Sequence, residues 1–275
     1  MSLALDAQQT YDSDGFVVLP NLFSKEEVSF LRDHYMEMRN QEWPGDFAGV
    51  DLASSDPLKR YPRMIHMHRW DEVSLRWLLD FRINAALTAL LGEEPYAVQT
   101  MLYFKPAGGR GQALHQDQTY LNARPGTCIA AWLALDDCDE ENGCMQVVPR
   151  TQNLPMLCTV AADTSASFTD VTVPLGPEMV PLSVNMKAGD VLFFNGSVIH
   201  GSYPNTSRDR FRRSLIGHYI TGNAQAVAGY YHPVLKMNGE VVDLSVSTGG
   251  GPCGVWSTDG IEMVSREIGQ MDLHE

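Results

Sequence analysis

The amino-acid sequence predicts a mainly β fold, a sandwich or jelly roll braced by helices on one side. Two stretches with apolar residues at helical spacing come first and end before residue 93. From Tyr96 onward, short β-rich or apolar runs alternate with clusters of Gly, Pro, Asn and Asp. No internal repeat or low-complexity linker divides the 275 residues, so we expect one domain over 1–275. Its expected parts are a helical region at about 24–92, a jelly-roll core at about 96–221 and a C-terminal extension at 222–275.

Two helical regions are predicted before the strands. Ser24 and Glu27 have the spacing of a capping box, and apolar residues at helical spacing follow them. This helix is expected to run to about Asn40. A second helical region spans 72–91, where Gly92 provides a C-terminal stop.

The predicted strands are short and begin with one before the first helical region. Each is rich in β-branched, aromatic or other apolar residues and is bounded by turn residues. They are the runs Phe16–Leu19, "AVQTMLYF" from residue 97, "TCIAAWLAL" from 127, "MQVVP" from 145, "DVLFFN" from 190 and "SLIGHYI" from 214.

Composition excludes several classes of partner. The net charge of -14 opposes binding to nucleic-acid phosphates and to anionic lipid surfaces. The longest apolar run, Cys128 to Leu135, is too short to cross a bilayer. Five cysteines without a C-x-x-C pair suggest neither a disulfide framework nor a zinc cluster. We therefore expect a soluble cytoplasmic protein that acts on a small molecule, with no nucleic-acid or membrane partner and an oligomeric state that the sequence leaves open.

The stretch "ALHQDQT" places two metal-ligand side chains close together. In a strand, His115 and Asp117 would point to the same face, because side chains alternate. His200, in "GDVLFFNGSVIHGS", can supply a third ligand. Two His and one carboxylate, with other positions open, form the arrangement used by non-haem Fe(II) oxygenases. The sequence therefore predicts a metal site whose open side receives a co-substrate and dioxygen.

Three arginines follow His200 in "RDRFRRSLIGHYI", and one of them could hold a carboxylate with a bidentate fork. If they lie on a strand, Arg212 and Arg213 face opposite ways, so only one of these two can reach the pocket. The alternation of side chains does not exclude Arg210 as the residue that reaches the pocket.

The ordered set of motifs resembles the phytanoyl-CoA dioxygenase family of Fe(II)/2-oxoglutarate oxygenases. The similar features are H-Q-D at 115–117, H-G-S at 200–202, the following N-x-S and R-R-S-x-x-x-H-Y, the opening "DGFVVLPNLFSKEEV" and the central "ENGCMQVVP". Together they cover about residues 11–219. The resemblance implies a double-stranded β-helix fold, the cupin-like form of the jelly roll, and the cofactors Fe(II), 2-oxoglutarate and O2.

By the same resemblance, each site residue receives a role. The catalytic metal ligands would be His115, Asp117 and His200. Arg212 and Ser202 would hold the distal carboxylate of 2-oxoglutarate, and Met101 and Trp132 would line the co-substrate pocket.

The chain departs from the family pattern in two places. The family's arginine stands one position closer to the distal histidine, where this chain has Phe211, so Arg212 is placed by counting back from His218. The stretch 149–152 also lacks the family's Pro-Gly-(Ser/Thr)-His, which points to a different rim and substrate. Halogenating relatives have a small residue at the position of Asp117, so its carboxylate favours hydroxylation.

The predicted activity is hydroxylation of a small polar metabolite, with an amine-bearing compound as one candidate, and release of succinate and CO2. Two alternatives stay open. One is an acyl-CoA hydroxylase of the same mechanism, although an acidic chain suits the polyanionic CoA head poorly. The other is a non-catalytic cupin-like module that binds a metal or a ligand.

His66 and His68 in "RMIHMHRW" are also two residues apart. No third ligand accompanies them, so we expect them in a loop near the mouth of the site or on a plain surface. A substrate contact from His68 or Arg69 is the functional alternative.

Overall fold

A computed structural model of the chain describes residues 2–41 and 49–265. Helices precede most of the strands along the chain, as predicted. The α-helices are α1 (Ser2–Asp14), α2 (Lys25–Met38), α3 (Pro57–Arg60), α4 (Glu72–Leu78), α5 (Phe81–Leu91) and α6 (Gln118–Leu121), and the 3-10 helices are η1 (Met67–Arg69) and η2 (Gly229–Tyr231).

Most of the strands are short. They are β1 (Phe16–Leu19), β2 (Met64–Ile65), β3 (Tyr96–Tyr103), β4 (Gln112–His115), β5 (Cys128–Ala134), β6 (Met145–Val147), β7 (Val160–Ala161), β8 (Val171–Thr172), β9 (Leu182–Val184), β10 (Val191–Asn195), β11 (His200–Ser202), β12 (Ser214–Ile220), β13 (Ala226–Ala228), β14 (Val234–Lys236), β15 (Val241–Val242), β16 (Ser245–Ser247), β17 (Cys253–Ser257) and β18 (Gly260–Val264).

Local sequence signals explain the helix boundaries. The predicted capping box begins α2: Glu27 N donates to Ser24 Oγ, and Ser24 N donates to the Glu27 carboxylate. The helical region predicted at 72–91 is two helices, because Asp80 caps a new helix after α4 ends. Gly92 ends α5 with φ 75°, as expected of a left-handed C-cap. Helix α1 is an element that the sequence analysis did not predict.

Two sheets face each other in the described part of the chain. The larger has the strand order β1-β10-β5-β12-β3-β14-β15, with β2 added beside β3, and the smaller has the order β4-β11-β6-β9. The predicted mainly-β jelly roll is thus confirmed. The strands do not close into a barrel, and the space between the sheets holds the site.

The larger sheet is covered on both faces. Ile129, Ala131 and Leu133 of β5 pack toward the helices, in a cluster that also contains residues of α2 and α5. Ala130, Trp132 and Ala134 alternate with them and pack against the smaller sheet. Because both faces are buried, β5 is continuously apolar and does not show the alternation of a half-exposed strand.

A disulfide joins Cys158 to Cys253, across 95 positions of sequence. It connects the hairpin β17–β18 to the segment after β6. The expectation that the cysteines form no disulfide is therefore wrong, because spacing along the chain does not reveal which thiols folding brings together. The other cysteines, Cys128, Cys138 and Cys144, are free and buried. Among the described residues, no helix has the length and apolar character needed to cross a membrane.

Candidate active site

Neighbouring strands of the smaller sheet carry the two histidines of the predicted metal site. His115 ends β4 and His200 begins β11, and the two residues are directly paired in the antiparallel register. Asp117 is not in the strand as expected. Its φ of -60° and ψ of -32° are helical, and it is the residue before α6. The carboxylate still reaches the histidines because the chain turns back immediately after His115.

The three side chains form a compact buried group. One ligand atom from each lies within 4.8 Å of the other two. Asp117 Oδ1 is 3.4 Å from His115 Nε2, and Asp117 Oδ2 is 3.5 Å from His200 Nε2. All three residues are buried, and His200 is 2% exposed. This donor set of two imidazoles and a carboxylate suits a divalent iron site with open positions.

Hydrogen bonds orient both imidazoles for metal binding. His115 Nδ1 lies 2.9 Å from Ala113 O, and His200 Nδ1 lies 2.9 Å from Val198 O. A carbonyl can only accept, so each Nδ1 carries the proton and each Nε2 keeps a lone pair directed toward Asp117. The residues present therefore fit a metal ion.

His218 supports the carboxylate from the larger sheet. Its Nε2 is 3.1 Å from Asp117 Oδ2 and its Nδ1 is 2.9 Å from Gln99 Oε1. Burial by itself raises the pKa of Asp117, but the surrounding histidines hold it well below its usual range. Burial, followed by the nearby His115, lowers the pKa of His200 to about 4. At neutral pH the site thus offers a carboxylate and a neutral His200 imidazole, the forms that bind metal.

The inward face of β12 leads from the metal ligands to the predicted co-substrate pocket. Ser214, Ile216 and His218 alternate along this face. Ile216 pairs with Met101 on one side and with Trp132 on the other, so these three form one row across the sheet. That row lies between His218, at the metal end, and Ser214, at the other end. Met101 and Trp132 are therefore in the inter-sheet space, where their predicted role requires them.

The three candidate arginines have different surroundings. Arg210 forms ion pairs with Asp139 and Glu141 near the surface. Arg213 donates to both oxygens of Asp136.

Arg212 is buried, 2% exposed, and its NH1 donates to Ser214 Oγ at 2.8 Å. Its Nε has no hydrogen-bond partner among the described residues, and its guanidinium carbon is 5.2 Å from the centre of the Trp132 ring. Only Arg212 of the three is thus left without a carboxylate partner in the described part of the chain.

Ser202 lies beside a cation that the sequence analysis missed. The ammonium group of Lys105 donates to Ser202 Oγ at 2.7 Å, Tyr203 O at 2.7 Å and Gly143 O at 3.2 Å. Its backbone carbonyl accepts from Arg212 N. Burial, followed by the charge of Arg212, lowers the pKa of Lys105 well below its usual range. Two buried cations therefore share this end of the pocket.

No local signal identified Lys105 or His218 as part of the site. Lys105 follows a predicted strand, where a lysine is normally exposed. The sequence could have indicated a role for His218, because it follows Arg212 by an even number of residues. In an extended chain, the two side chains would then face the same side. His66 and His68, expected in a loop near the mouth of the site or on a plain surface, are both buried, the first just before η1 and the second within it.

Comparison with known proteins agrees with this geometry. A sequence model of the phytanoyl-CoA dioxygenase (PhyH) family matches residues 11–214. The chain belongs to the phytanoyl-CoA dioxygenase family. The predicted family and the predicted class of enzyme, a dioxygenase, are thereby confirmed.

Individual members of the phytanoyl-CoA dioxygenase family have diverged widely from this chain. Phytanoyl-CoA dioxygenase 1 of Oryza sativa subsp. japonica is 27% identical over 241 residues, which cover 75% of this chain and 85% of that protein. Ectoine dioxygenase of Stutzerimonas stutzeri is 24% identical over 221 residues, covering 74% and 72%.

A solved structure shares the fold of this family member. It is the epimerase SnoN in complex with Fe3+, alpha ketoglutarate and nogalamycin RO, with a TM-score of 0.63 and 21% identity, covering 82% of this chain and 86% of SnoN.

Proposed function

We propose that the protein is an Fe(II)- and 2-oxoglutarate-dependent dioxygenase that hydroxylates a C–H bond of a small polar metabolite. The reaction would consume O2 and 2-oxoglutarate and release succinate and CO2. One observation carries the proposal: the buried His115, Asp117 and His200 share the inter-sheet space with Arg212, a buried guanidinium without a carboxylate partner in the described residues. A site for metal alone would not need this second feature.

Each residue has a definite task in this proposal. Two Nε2 lone pairs and the Asp117 carboxylate would hold Fe(II) on one side and leave the opposite side open. Arg212 would hold the distal carboxylate of 2-oxoglutarate, whose carbon chain would cross the row of Met101 and Trp132. When bound, iron and 2-oxoglutarate supply the oxidising chemistry, in which one atom of O2 enters succinate and the other enters the new hydroxyl group.

The second cation, Lys105, would support the same carboxylate. Its amino group orients Ser202 Oγ beside Arg212, and a bound carboxylate would favour the charged form of Lys105 that burial and Arg212 disfavour. Among the described residues, neither Lys105 nor Arg212 has a carboxylate within hydrogen-bond distance. The distal carboxylate of a dicarboxylate would supply one. Because charges interact strongly in a desolvated interior, this end of the pocket selects for a diacid over a monoacid.

Asp117 makes hydroxylation the expected outcome. A carboxylate on the metal would occupy the position that a chloride ion would need, and the histidines around it are arranged for the two oxygens of Asp117, not for a halide. Asp117→Gly should therefore lose hydroxylation without gaining efficient chlorination. The mass of the product formed under oxygen and saturating chloride tests this expectation. A chlorinated product from the unaltered protein would overturn the assignment of hydroxylation.

Two measurements test the proposed function. Adding Fe(II) and 2-oxoglutarate without oxygen should produce the weak visible charge-transfer band of the chelate, and Arg212→Met should weaken it at low 2-oxoglutarate. With oxygen, a panel of metabolites should then be screened for stimulated release of succinate. Absence of the band in the unaltered protein would contradict the proposal and favour a binding module without catalysis.

An acyl-CoA hydroxylase remains the second candidate because several curated relatives are named phytanoyl-CoA dioxygenases. The net charge of -14 works against binding of the polyanionic CoA head, whereas an ectoine dioxygenase acts on a small free molecule. Including a long-chain acyl-CoA in the panel separates the two. The cytoplasmic location predicted from the sequence stays a prediction, and the Cys158–Cys253 disulfide would favour a more oxidising compartment.

A further inference from the structure

A second pair of buried histidines lies just after β2: His66 precedes η1 and His68 is within η1. His66 is 6% exposed and His68 is 5% exposed, and their ring centres are 5.7 Å apart. Backbone hydrogen bonds hold this segment on β3: His66 N donates to Thr100 O, and His68 N donates to Thr100 Oγ1. His66 has a left-handed backbone, with φ 59°, a conformation that His adopts more readily than most residues. The backbone positions of both histidines are therefore fixed on β3.

Three ring nitrogens of this pair are without partners. Both nitrogens of His66 and Nε2 of His68 make no hydrogen bond to the described residues. In native proteins, the large majority of buried polar atoms are hydrogen-bonded, and an exception needs an explanation. Three such atoms on two adjacent side chains indicate a place where another polar group binds.

These histidines lie beside the candidate active site. His66 N donates to Thr100 O, the preceding residue Gln99 contacts His218 Nδ1, and His218 Nε2 contacts Asp117. His218 also contributes to lowering the pKa of His66. The ring of Tyr230 is 4.7 Å from that of His66, and the ring of Tyr231 is 6.2 Å away. Burial raises the pKa of Tyr231, and the carboxylate of Asp117 is the next contributor. His66 and these two tyrosines thus form a group of rings near His218, and His68 adjoins the group through His66.

The C-terminal extension supplies the two tyrosines of this group. Arg69, next to His68, donates to the carbonyls of Tyr230 and His232 at 2.9 Å each. These bonds tie the loop of η1 to the segment of η2. Residues beyond the predicted jelly-roll core therefore help to form the surroundings of the site.

Both imidazoles are neutral. Burial, followed by the charge of Arg69, lowers the pKa of His66 to about 3 and that of His68 to about 4. Each ring then has one N–H and one lone pair.

Thr100 determines which nitrogen of His68 carries the proton. Its Oγ1 already accepts from His68 N, and its own proton can go to His68 Nδ1 at 3.0 Å or to the sulfur of Met67 at 3.9 Å. An imidazole nitrogen is a better acceptor than a thioether sulfur, so we assign the Thr100 proton to His68 Nδ1, which leaves His68 Nε2–H as a donor. His66 has one N–H in either tautomer, and neither of its nitrogens has a partner among the described residues.

We propose, on the basis of the function proposed above, that His66 and His68 form the substrate-recognition subsite and bind a carbonyl or carboxylate oxygen of the substrate. The rest of the substrate would pack against Tyr230 and Tyr231 while its reacting carbon lies toward the metal. An ammonium group is disfavoured because the charge of Arg69 acts on both histidines and lowers their pKa values. This proposal differs from the amine-bearing candidate of the sequence analysis, which stays a prediction and is one outcome of the test below.

The test uses the full chain loaded with Fe(II) and 2-oxoglutarate without oxygen, because a molecule bound beside the metal changes the chelate band. Two matched sets serve as probes: phenylacetate, phenylacetamide and phenethylamine, and proline, prolinamide and pyrrolidine. An acid or an amide should change the band in at least one set, and the simple amine of that set should not. A response to the simple amines alone, or to no acid or amide, would overturn the proposal. Failure to form the chelate at all would instead contradict the proposed function.

Substitutions then locate the binding groups. His68→Phe keeps the ring volume but removes the donor, and should raise the apparent Kd of a responding probe by about tenfold, the worth of one hydrogen bond. His34→Phe makes the same change at a histidine of α2 that pairs with Asp71, so it is the matched control and should change that Kd by less than about threefold. His66→Asn, which tolerates the left-handed backbone, should also weaken probe binding. Equal Kd values in His68→Phe and the unaltered protein, with the chelate band intact, would overturn the proposal.

Discussion

The two faces of the larger sheet use the same strands for different purposes. On β12, Leu215 and Tyr219 point toward the helices and are fully buried in an apolar cluster. Ser214 and His218 point toward the smaller sheet, where they contact Arg212 and Asp117. Both faces are buried to a similar extent, so burial alone does not distinguish them.

The difference lies in how polar groups are satisfied. On the helix side, Tyr219 Oη donates to Leu78 O at 2.7 Å, so its polar atom has an internal partner. On the other side, Nε of Arg212 has no hydrogen-bond partner among the described residues, and Nε2 of both His115 and His200 faces the Asp117 carboxylate. The helix-side face stabilises the fold, whereas the inter-sheet face is prepared to bind charged groups. Substitutions on the two faces should therefore have separate effects.

The largest effect is expected for the metal ligands. Replacing His115, Asp117 or His200 with alanine leaves two protein ligands, too few to hold labile Fe(II). Substrate-stimulated succinate release should fall by roughly a thousandfold or more, and bound iron measured after gel filtration should be lost. Full iron occupancy in all three variants would show that the metal lies elsewhere.

The next largest effect is expected for Arg212. Arg212→Lys keeps the charge but loses the fork, so the KM for 2-oxoglutarate should rise by about 10- to 100-fold while iron stays bound. Arg213→Lys is the matched control, since its partner is Asp136 and its change should be small. Steady-state succinate release at varied 2-oxoglutarate measures both. If Arg213→Lys or Arg210→Lys has the larger effect, the pocket is assigned to the wrong arginine.

Lys105 should have a smaller effect on the same constant. Lys105→Met removes the second buried cation and the support of Ser202, so the KM for 2-oxoglutarate should rise by roughly tenfold. Lys187, an exposed lysine paired with Asp137, provides the control variant Lys187→Met, which should leave this KM unchanged. An unchanged KM in Lys105→Met would make Lys105 a purely structural residue.

The smallest effect is expected on the helix side of the sheet. Tyr219→Phe leaves the Leu78 carbonyl without its partner and should reduce the free energy of unfolding by about 1–2 kcal/mol in urea denaturation. The KM for 2-oxoglutarate and the bound iron should not change. A rise in that KM would mean that the two faces are coupled, and the separation drawn above would fail.

The sequence by itself determined the fold class, the family and the identity of the metal-ligand candidates. Metal ligands can be read in this way because few residue types bind iron, and because the H-x-D motif keeps two of them close along the chain. The details of their placement were less accessible. Asp117 was expected to continue the strand of His115, whereas it begins a helical turn, since local patterns do not predict where a short strand ends.

Only the tertiary structure decided which arginine is buried without a carboxylate partner. Arg210, Arg212 and Arg213 are adjacent in sequence, but residues 69–77 positions away, Asp136, Asp139 and Glu141, pair with two of them and leave the third. The burial of Lys105, the unpartnered nitrogens of His66 and His68, and the joining of Cys158 to Cys253 also depend on distant segments. The physical reason is the same in each case: the partners and the solvent exposure of a polar side chain depend on long-range packing, which a local pattern does not specify.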